Sequence, residues 1–306
     1  MSVIYRNYVV SPSPELCPTY RISPFSERFI TGRNEDKSKA LDYLKSRFNN
    51  YCLMRKGRTA ISKALVFYDL KPADVVSILT TSENFYISSC VTREIEKFCL
   101  WSRTITPNTK ILFVNHEFGY PYKDLVQLKR YGLPIIEDCA HTFFSKNDTI
   151  GKVGDFVIYS LPKVFPLQLG GILSSNQEDL FLQSDLTTEE QNYLLENLAY
   201  HFPRHAEIIA KRKFNYHLFC EKLKSLSIRP FFELSDNEDI VPGVFLFHWN
   251  DDLDYTQLKL FMQANGVESS VFYGKNAYFI PIHDFLREED IDYICMLLEY
   301  FYNKQR

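Results

Sequence analysis

The sequence predicts an α/β fold: a large domain with a mostly parallel sheet covered by helices, followed by a smaller α+β domain. Three observations carry that reading. Between about residues 75 and 176, short apolar runs alternate with helical patterns, as expected of strands buried on both faces by crossover helices. After about Asn176 the alternation fades and helical stretches dominate. The length of 306 residues, 45% hydrophobic and 24% charged, suits one large domain with a smaller companion rather than disorder.

Residues 1–34 are rich in proline and serine and read as an irregular N-terminal arm. Residues 35–49 read as an amphipathic helix, because Ala40, Leu41, Leu44 and Phe48 recur at helical spacing. Apolar runs at 75–79, 111–114, 135–136, 156–159 and 171–173 read as strands. Helices are expected between them near 58–68, 88–99 and 122–131. The large domain is therefore placed at 35–204. Helices near 189–200 and 205–226, a strand at 244–249, and helices near 255–264 and 288–302 follow. The smaller domain is placed at 205–306.

A formal net charge of −3 gives no electrostatic case for binding nucleic acid. No run approaches the roughly 18 uninterrupted apolar residues of a membrane span. The first residues lack the basic-then-apolar build of a secretion signal, so a cytoplasmic protein is expected. Seven cysteines at irregular spacing argue against a disulfide framework. No C-x-x-C or H-x-x-x-H pair suggests a metal site.

Four segments at predicted strand ends carry polar residues, and ligands of open α/β sheets collect at such ends. In RKGRTAISKAL (55–65), Gly57 permits a tight turn and Arg58-Thr59-Ala60 open a helix. The free N–H groups of such a terminus suit a phosphate, and Thr59 adds a hydroxyl. Alone, the segment is equally an N-capped core helix. PIIEDCAH (134–141) ends an apolar strand in Glu137 and Asp138, with His141 three residues on. An acidic group at that place either caps the next segment or pairs with a cationic ring nitrogen. In GDFVIYSLPKVFPLQLGG (154–171), Lys163 follows Ser160 by three residues in mostly apolar surroundings. Desolvation lowers a lysine pKa from about 10.4, leaving an amine able to form a Schiff base. By composition alone it is an ordinary loop lysine. In NFYISSC (84–90), Phe85 or Tyr86 suits stacking on a flat cofactor, though either also suits core packing.

In this order the segments resemble the DegT/StrS family of nucleotide-sugar aminotransferases, which are fold-type I enzymes dependent on pyridoxal 5′-phosphate (PLP). The matching pieces are GRTA at 57–60, VNHEFGYP at 114–121, EDCAH at 137–141 and the S…K…GG stretch ending at Gly171. KRKFNYHLFCEKL (211–223) is similar to the helix opening the family's small domain, and FIPIHDFLREEDIDYI (279–294) to its closing segment. The resemblance implies that Lys163 holds PLP as a Schiff base and shuttles a proton. It implies that Asp138 pairs with the ring nitrogen and that His141 sits near the ring and its phenolic oxygen. Ser160 and the backbone of Thr59 and Ala60 would bind the phosphate, and Tyr86, before Phe85, would stack on the ring. It implies a homodimer in polysaccharide biosynthesis, moving an amino group, typically from glutamate, to a keto group on a nucleotide-linked deoxy sugar.

Three departures stand out. Many family members place five residues between the serine and lysine positions, where this chain has Lys163 three after Ser160. Leu169 replaces the glutamate before the Gly-Gly pair. The stretch after Asn176 is shortened, and neither Asn192 nor Asn197 has the surroundings of the asparagine that relatives deliver to a neighbour's cofactor. The shortening motivates an alternative in which the chain is a degenerate relative with a binding or regulatory role. A PLP-dependent sugar dehydratase is a second alternative, against which Lys163 speaks, since such relatives carry histidine there.

Overall fold

The computed structural model describes residues 19–24, 35–177, 182–234, 239–249 and 253–305. Most of the predicted N-terminal arm therefore lies outside the described residues. A seven-stranded sheet is built from β1 (Asn50–Met54), β2 (Val75–Thr80), β3 (Leu100–Ser102), β4 (Thr109–Asn115), β5 (Ile135–Asp138), β6 (Phe156–Ser160) and β7 (Gly171–Ser175). The order is β1-β7-β6-β5-β4-β2-β3. β3, β2, β4, β5 and β6 pair in parallel, whereas β7 runs antiparallel to both β6 and β1.

Helices cover both faces, as the continuous apolar character of the central strands requires. On one face Val76, Ile78, Ile111, Phe113, Ile136 and Ile158 pack against Ala60, Ile61, Ala64 and Leu65 of α2 (Gly57–Val66) and Val91 and Ile95 of α3 (Ser89–Ile95). On the other, Leu53, Val157, Tyr159 and Ile172 meet Ala40 and Leu44 of α1 (Lys37–Arg47) and Leu194, Leu195 and Leu198 of α4 (Thr188–His201). Phe143, Phe165 and Phe202 fill this second layer. Each buried side chain of this size contributes roughly 1.5–3 kcal/mol relative to exposure. Thr187 and Glu190 close a capping box at the start of α4, satisfying two N–H groups that the helix leaves open.

Beyond α5 (His205–Lys222) lies a four-stranded antiparallel sheet of β8 (Arg229–Pro230), β9 (Phe245–His248), β10 (Ser270–Val271) and β11 (Tyr278–Ile280). α6 (Tyr255–Ala264) and α7 (Glu288–Gln305) accompany it. Its core joins Tyr216 and Phe219 of α5 with Phe245, Phe247, Leu258, Met262, Ile291, Ile294 and Leu298. Residues 19–24 dock here, where Tyr20 donates to the Gly266 carbonyl at 2.9 Å and accepts from the Glu268 N–H at 2.8 Å.

Two expected helices are corrected. The expected helix at 122–131 is only a 3₁₀ turn over Val126–Tyr131. Its buried anchors, Leu125 and Leu128, lie three residues apart, which matches three residues per turn, and Gly132 ends it in the left-handed region at φ 63°. The helix expected at 88–99 closes at Ile95, after which the chain turns into β3. Strand β1 was not foreseen. It has no apolar alternation and is held by pairing with β7, more than a hundred residues away.

Candidate active site

Parallel strands deliver their carboxyl ends to one edge of a sheet, and here β4, β5 and β6 end in Asn115, Asp138 and Ser160. Asn115 pairs in register with Asp138, so the first two ends are adjacent. These ends open on a cavity of about 640 Å³. Lys163, His141, Tyr86, Arg58, Phe118 and Glu268 also line it.

The two acids at the end of β5 part company, because successive residues of a strand face opposite ways. Glu137 turns into the fold. Its carboxylate accepts from the N–H groups of Gly151 (2.7 Å), Val153 (3.0 Å) and Gly154 (2.6 Å) and meets His116 Nε2 at 3.0 Å. His116 Nδ1 accepts from the Tyr122 N–H at 3.0 Å, so Nε2 carries the proton and donates to Glu137. Glu137→Ala would leave four donors without an acceptor and is expected to lower stability by about 3–5 kcal/mol in urea unfolding. An unchanged midpoint would refute this reading.

Asp138 faces the cavity. It is 6% exposed and accepts from the Ala140 N–H at 3.0 Å. Burial pushes its carboxyl above the ordinary range, while the Lys163 ammonium and the Ala140 N–H pull the other way. Lys163 ends the 3₁₀ turn Leu161–Lys163, which Pro162 helps to set. Its Nζ lies 2.6 Å from His141 Nε2. Burial pushes the lysine below its ordinary value, and Asp138 opposes that. Burial, with the charges of Lys163 and Arg212, holds His141 well below the usual histidine value, so its ring is neutral.

Ser160 borders the N-terminus of α2. A Cβ on Gly57 would stand 3.2 Å from Ser160 Cβ, so a larger residue there would press on the serine. A Cβ on Gly171 would fall 2.8 Å from the Lys56 carbonyl carbon, so only glycine lets β7 start against this terminus. Gly57 and Arg58 line the cavity with Lys56, but Thr59 and Ala60 are not among its lining residues. The Thr59 hydroxyl donates to the Lys56 carbonyl at 2.8 Å, and the Ala60 N–H reaches the same carbonyl at 3.3 Å. Tyr86 lines the mouth, its ring 5.3 Å from that of Tyr273. Phe85 is 76% exposed and is not a lining residue.

Several lining residues were not singled out from the sequence. Phe118 holds a left-handed backbone at φ 52° and sets its ring 5.4 Å from His141, 5.5 Å from Phe272 and 5.0 Å from Phe279. A non-glycine residue held there is a signal that only coordinates carry. Gln168 also lines the cavity, as does Leu169, which the sequence marked as a departure, whereas Asn192 and Asn197 do not. Asn192 accepts from Lys37 Nζ at 2.8 Å, and Asn197 donates to the Tyr193 carbonyl at 2.8 Å.

The donor set fits PLP. A buried carboxylate, an amine of lowered basicity beside it and a helix N-terminus with two nearby cations match a ring nitrogen, an aldehyde and a phosphate. His116, Glu137 and Cys139 cluster closely enough to suggest a metal. Both His116 nitrogens and both Glu137 oxygens are already committed to hydrogen bonds.

The profile of the DegT/DnrJ/EryC1/StrS aminotransferase family matches residues 99–184. The aminotransferase TlmJ from Streptoalloteichus hindustanus aligns with a TM-score of 0.73 at 13% identity, covering 88% of this chain and 91% of that one. A sugar aminotransferase from Micromonospora echinospora aligns at 0.65 and 15% identity, covering 92% and 99%. A Streptococcus pneumoniae protein solved in a PLP form aligns at 0.67 and 14% identity, covering 91% and 94%. No curated protein sequence matches the chain. The resemblance read from the motifs is thereby confirmed: residues 99–184 match the DegT/DnrJ/EryC1/StrS aminotransferase family, and the chain has the fold-type I architecture of PLP aminotransferases.

Proposed function

We propose that this chain is a PLP-dependent aminotransferase that moves an amino group from glutamate to a keto group on a nucleotide-linked deoxy sugar. The observation that carries the proposal is Asp138 at the end of β5 and Lys163 in the turn after the adjacent β6 lining one cavity. When bound, PLP supplies an electron sink for the carbon that loses or gains nitrogen. Lys163 Nζ would hold the cofactor and would take up and return the proton of the substrate carbon. Asp138 would pair with the ring nitrogen, and its carboxylate would strengthen the sink. His141, held neutral, accepts from Lys163 Nζ and would help hold the ring with its phenolic oxygen. Ser160, Arg58 and the N-terminus of α2, where Thr59 and Ala60 lie, would hold the phosphate, and Tyr86 would cover the ring.

The overall exchange balances. Glutamate ends as 2-oxoglutarate, with one water consumed as nitrogen is taken up; the keto oxygen leaves as water when nitrogen is passed on. The aromatic wall of Phe118, Phe272, Tyr273 and Phe279 suits the apolar face of a sugar. A homodimer in the cytoplasm is part of the same reading; among the described residues no helix is long and apolar enough to cross a membrane.

The test is product analysis. Incubation with PLP, glutamate and a nucleotide-linked keto deoxy sugar is expected to yield 2-oxoglutarate and an amino sugar in equal amounts. Release of ammonia, or no turnover of glutamate by PLP-loaded protein, would count against amino transfer.

A further inference from the structure

Arg212, in the middle of α5, is 2% exposed. Its Nη2 donates to two successive carbonyls, those of Lys163 (3.2 Å) and Val164 (3.3 Å). Its carboxylate neighbour, Asp284, stands off at 3.9 Å, and the Arg212 Nε has no hydrogen-bond partner among the described residues. A guanidinium is permanently charged, and burying one without a close ion pair is costly, so its bonds to the lysine turn are what the burial secures. The preceding carbonyl, Pro162, accepts from the Ser23 hydroxyl of the docked N-terminal segment. Three successive carbonyls around Lys163 are thus gripped by side chains from distant parts of the chain.

We propose that Arg212 is a positioning residue for Lys163, clamping the backbone of the lysine turn so that Nζ stays against His141. Both bonds leave one nitrogen, Nη2, whose place is fixed by the rigid planar guanidinium, which an ammonium on a flexible stem cannot reproduce as well. The charge of the same guanidinium also helps hold His141 neutral, so that Nε2 can accept from Lys163. The charged and titratable groups that face Lys163 itself are His141, Asp138, Arg58, Glu268 and Cys90.

The assignment rests on Lys163 being the amine that carries PLP, and a cofactor-free readout separates the two claims. In the full chain without PLP, acetylation of Lys163 by acetic anhydride is followed against pH by peptide mass spectrometry. Wild type is expected to react with a midpoint below that of the surface lysines. Arg212→Lys keeps the charge but loosens the fork, and Arg212→Gln removes the charge. Both are expected to let Nζ rehydrate, raising the midpoint by at least about 0.5 pH unit, or threefold in proton affinity. The Lys variant should shift less than the Gln variant. A merely structural role would lower the melting temperature and leave the midpoint alone; an unchanged midpoint in folded Arg212→Lys overturns the proposal. If Arg212→Gln fails to fold, the Lys variant carries the test. Wild-type protein that takes up no PLP would sink the cofactor reading without touching this result.

Discussion

Lys163→Ala is expected to lose the absorption near the visible edge that PLP gives when joined to the protein. It is also expected to slow amino transfer by on the order of 10⁴-fold, the upper end of what a positioned proton-transfer group contributes. The side chain sits at the cavity, with Nζ held by His141, and Lys163 is not fully buried. Stability should therefore change by less than about 1 kcal/mol. That combination separates a functional loss from an unfolded protein. A variant that keeps both the absorption and the rate would show that another amine does the work.

Asp138→Asn has the second largest expected effect. Asparagine keeps the shape and can still accept from the Ala140 N–H, but it brings no charge to a ring nitrogen. PLP should still attach, and transfer should fall by roughly 10²–10³-fold, the scale of removing one preorganised electrostatic partner. The sign of a second effect is fixed by the geometry. Asp138 raises the Lys163 pKa, so its neutralisation should lower the pH at which the lysine begins to react. A loss of less than about threefold, on the same scale, would place the ring nitrogen elsewhere.

Much of the large sheet was legible, because β2, β4, β5 and β6 are apolar runs bounded by polar ends. β1 was not, since Asn50 to Met54 become a strand only through pairing with β7. The 3₁₀ turn at Val126–Tyr131 was misread as α-helix because leucines three apart suit either period. In the site, Lys163, His141, Asp138, Ser160 and Tyr86 come together around one cavity. The EDCAH resemblance assigned the ring nitrogen to Asp138, and the strand's alternation turns that acid to the cavity and Glu137 into the fold. Thr59 looked like a free hydroxyl donor, yet its own helix terminus engages it. Phe118, Glu268 and Arg212 were invisible as site residues because their places depend on contacts across the fold.

The most direct measurement is reduction of the PLP-treated protein with borohydride, followed by peptide mapping. The expected result is one pyridoxyl group, carried by Lys163. A chain with no label, or with label on another lysine, would contradict the assignment of this lysine as the cofactor anchor.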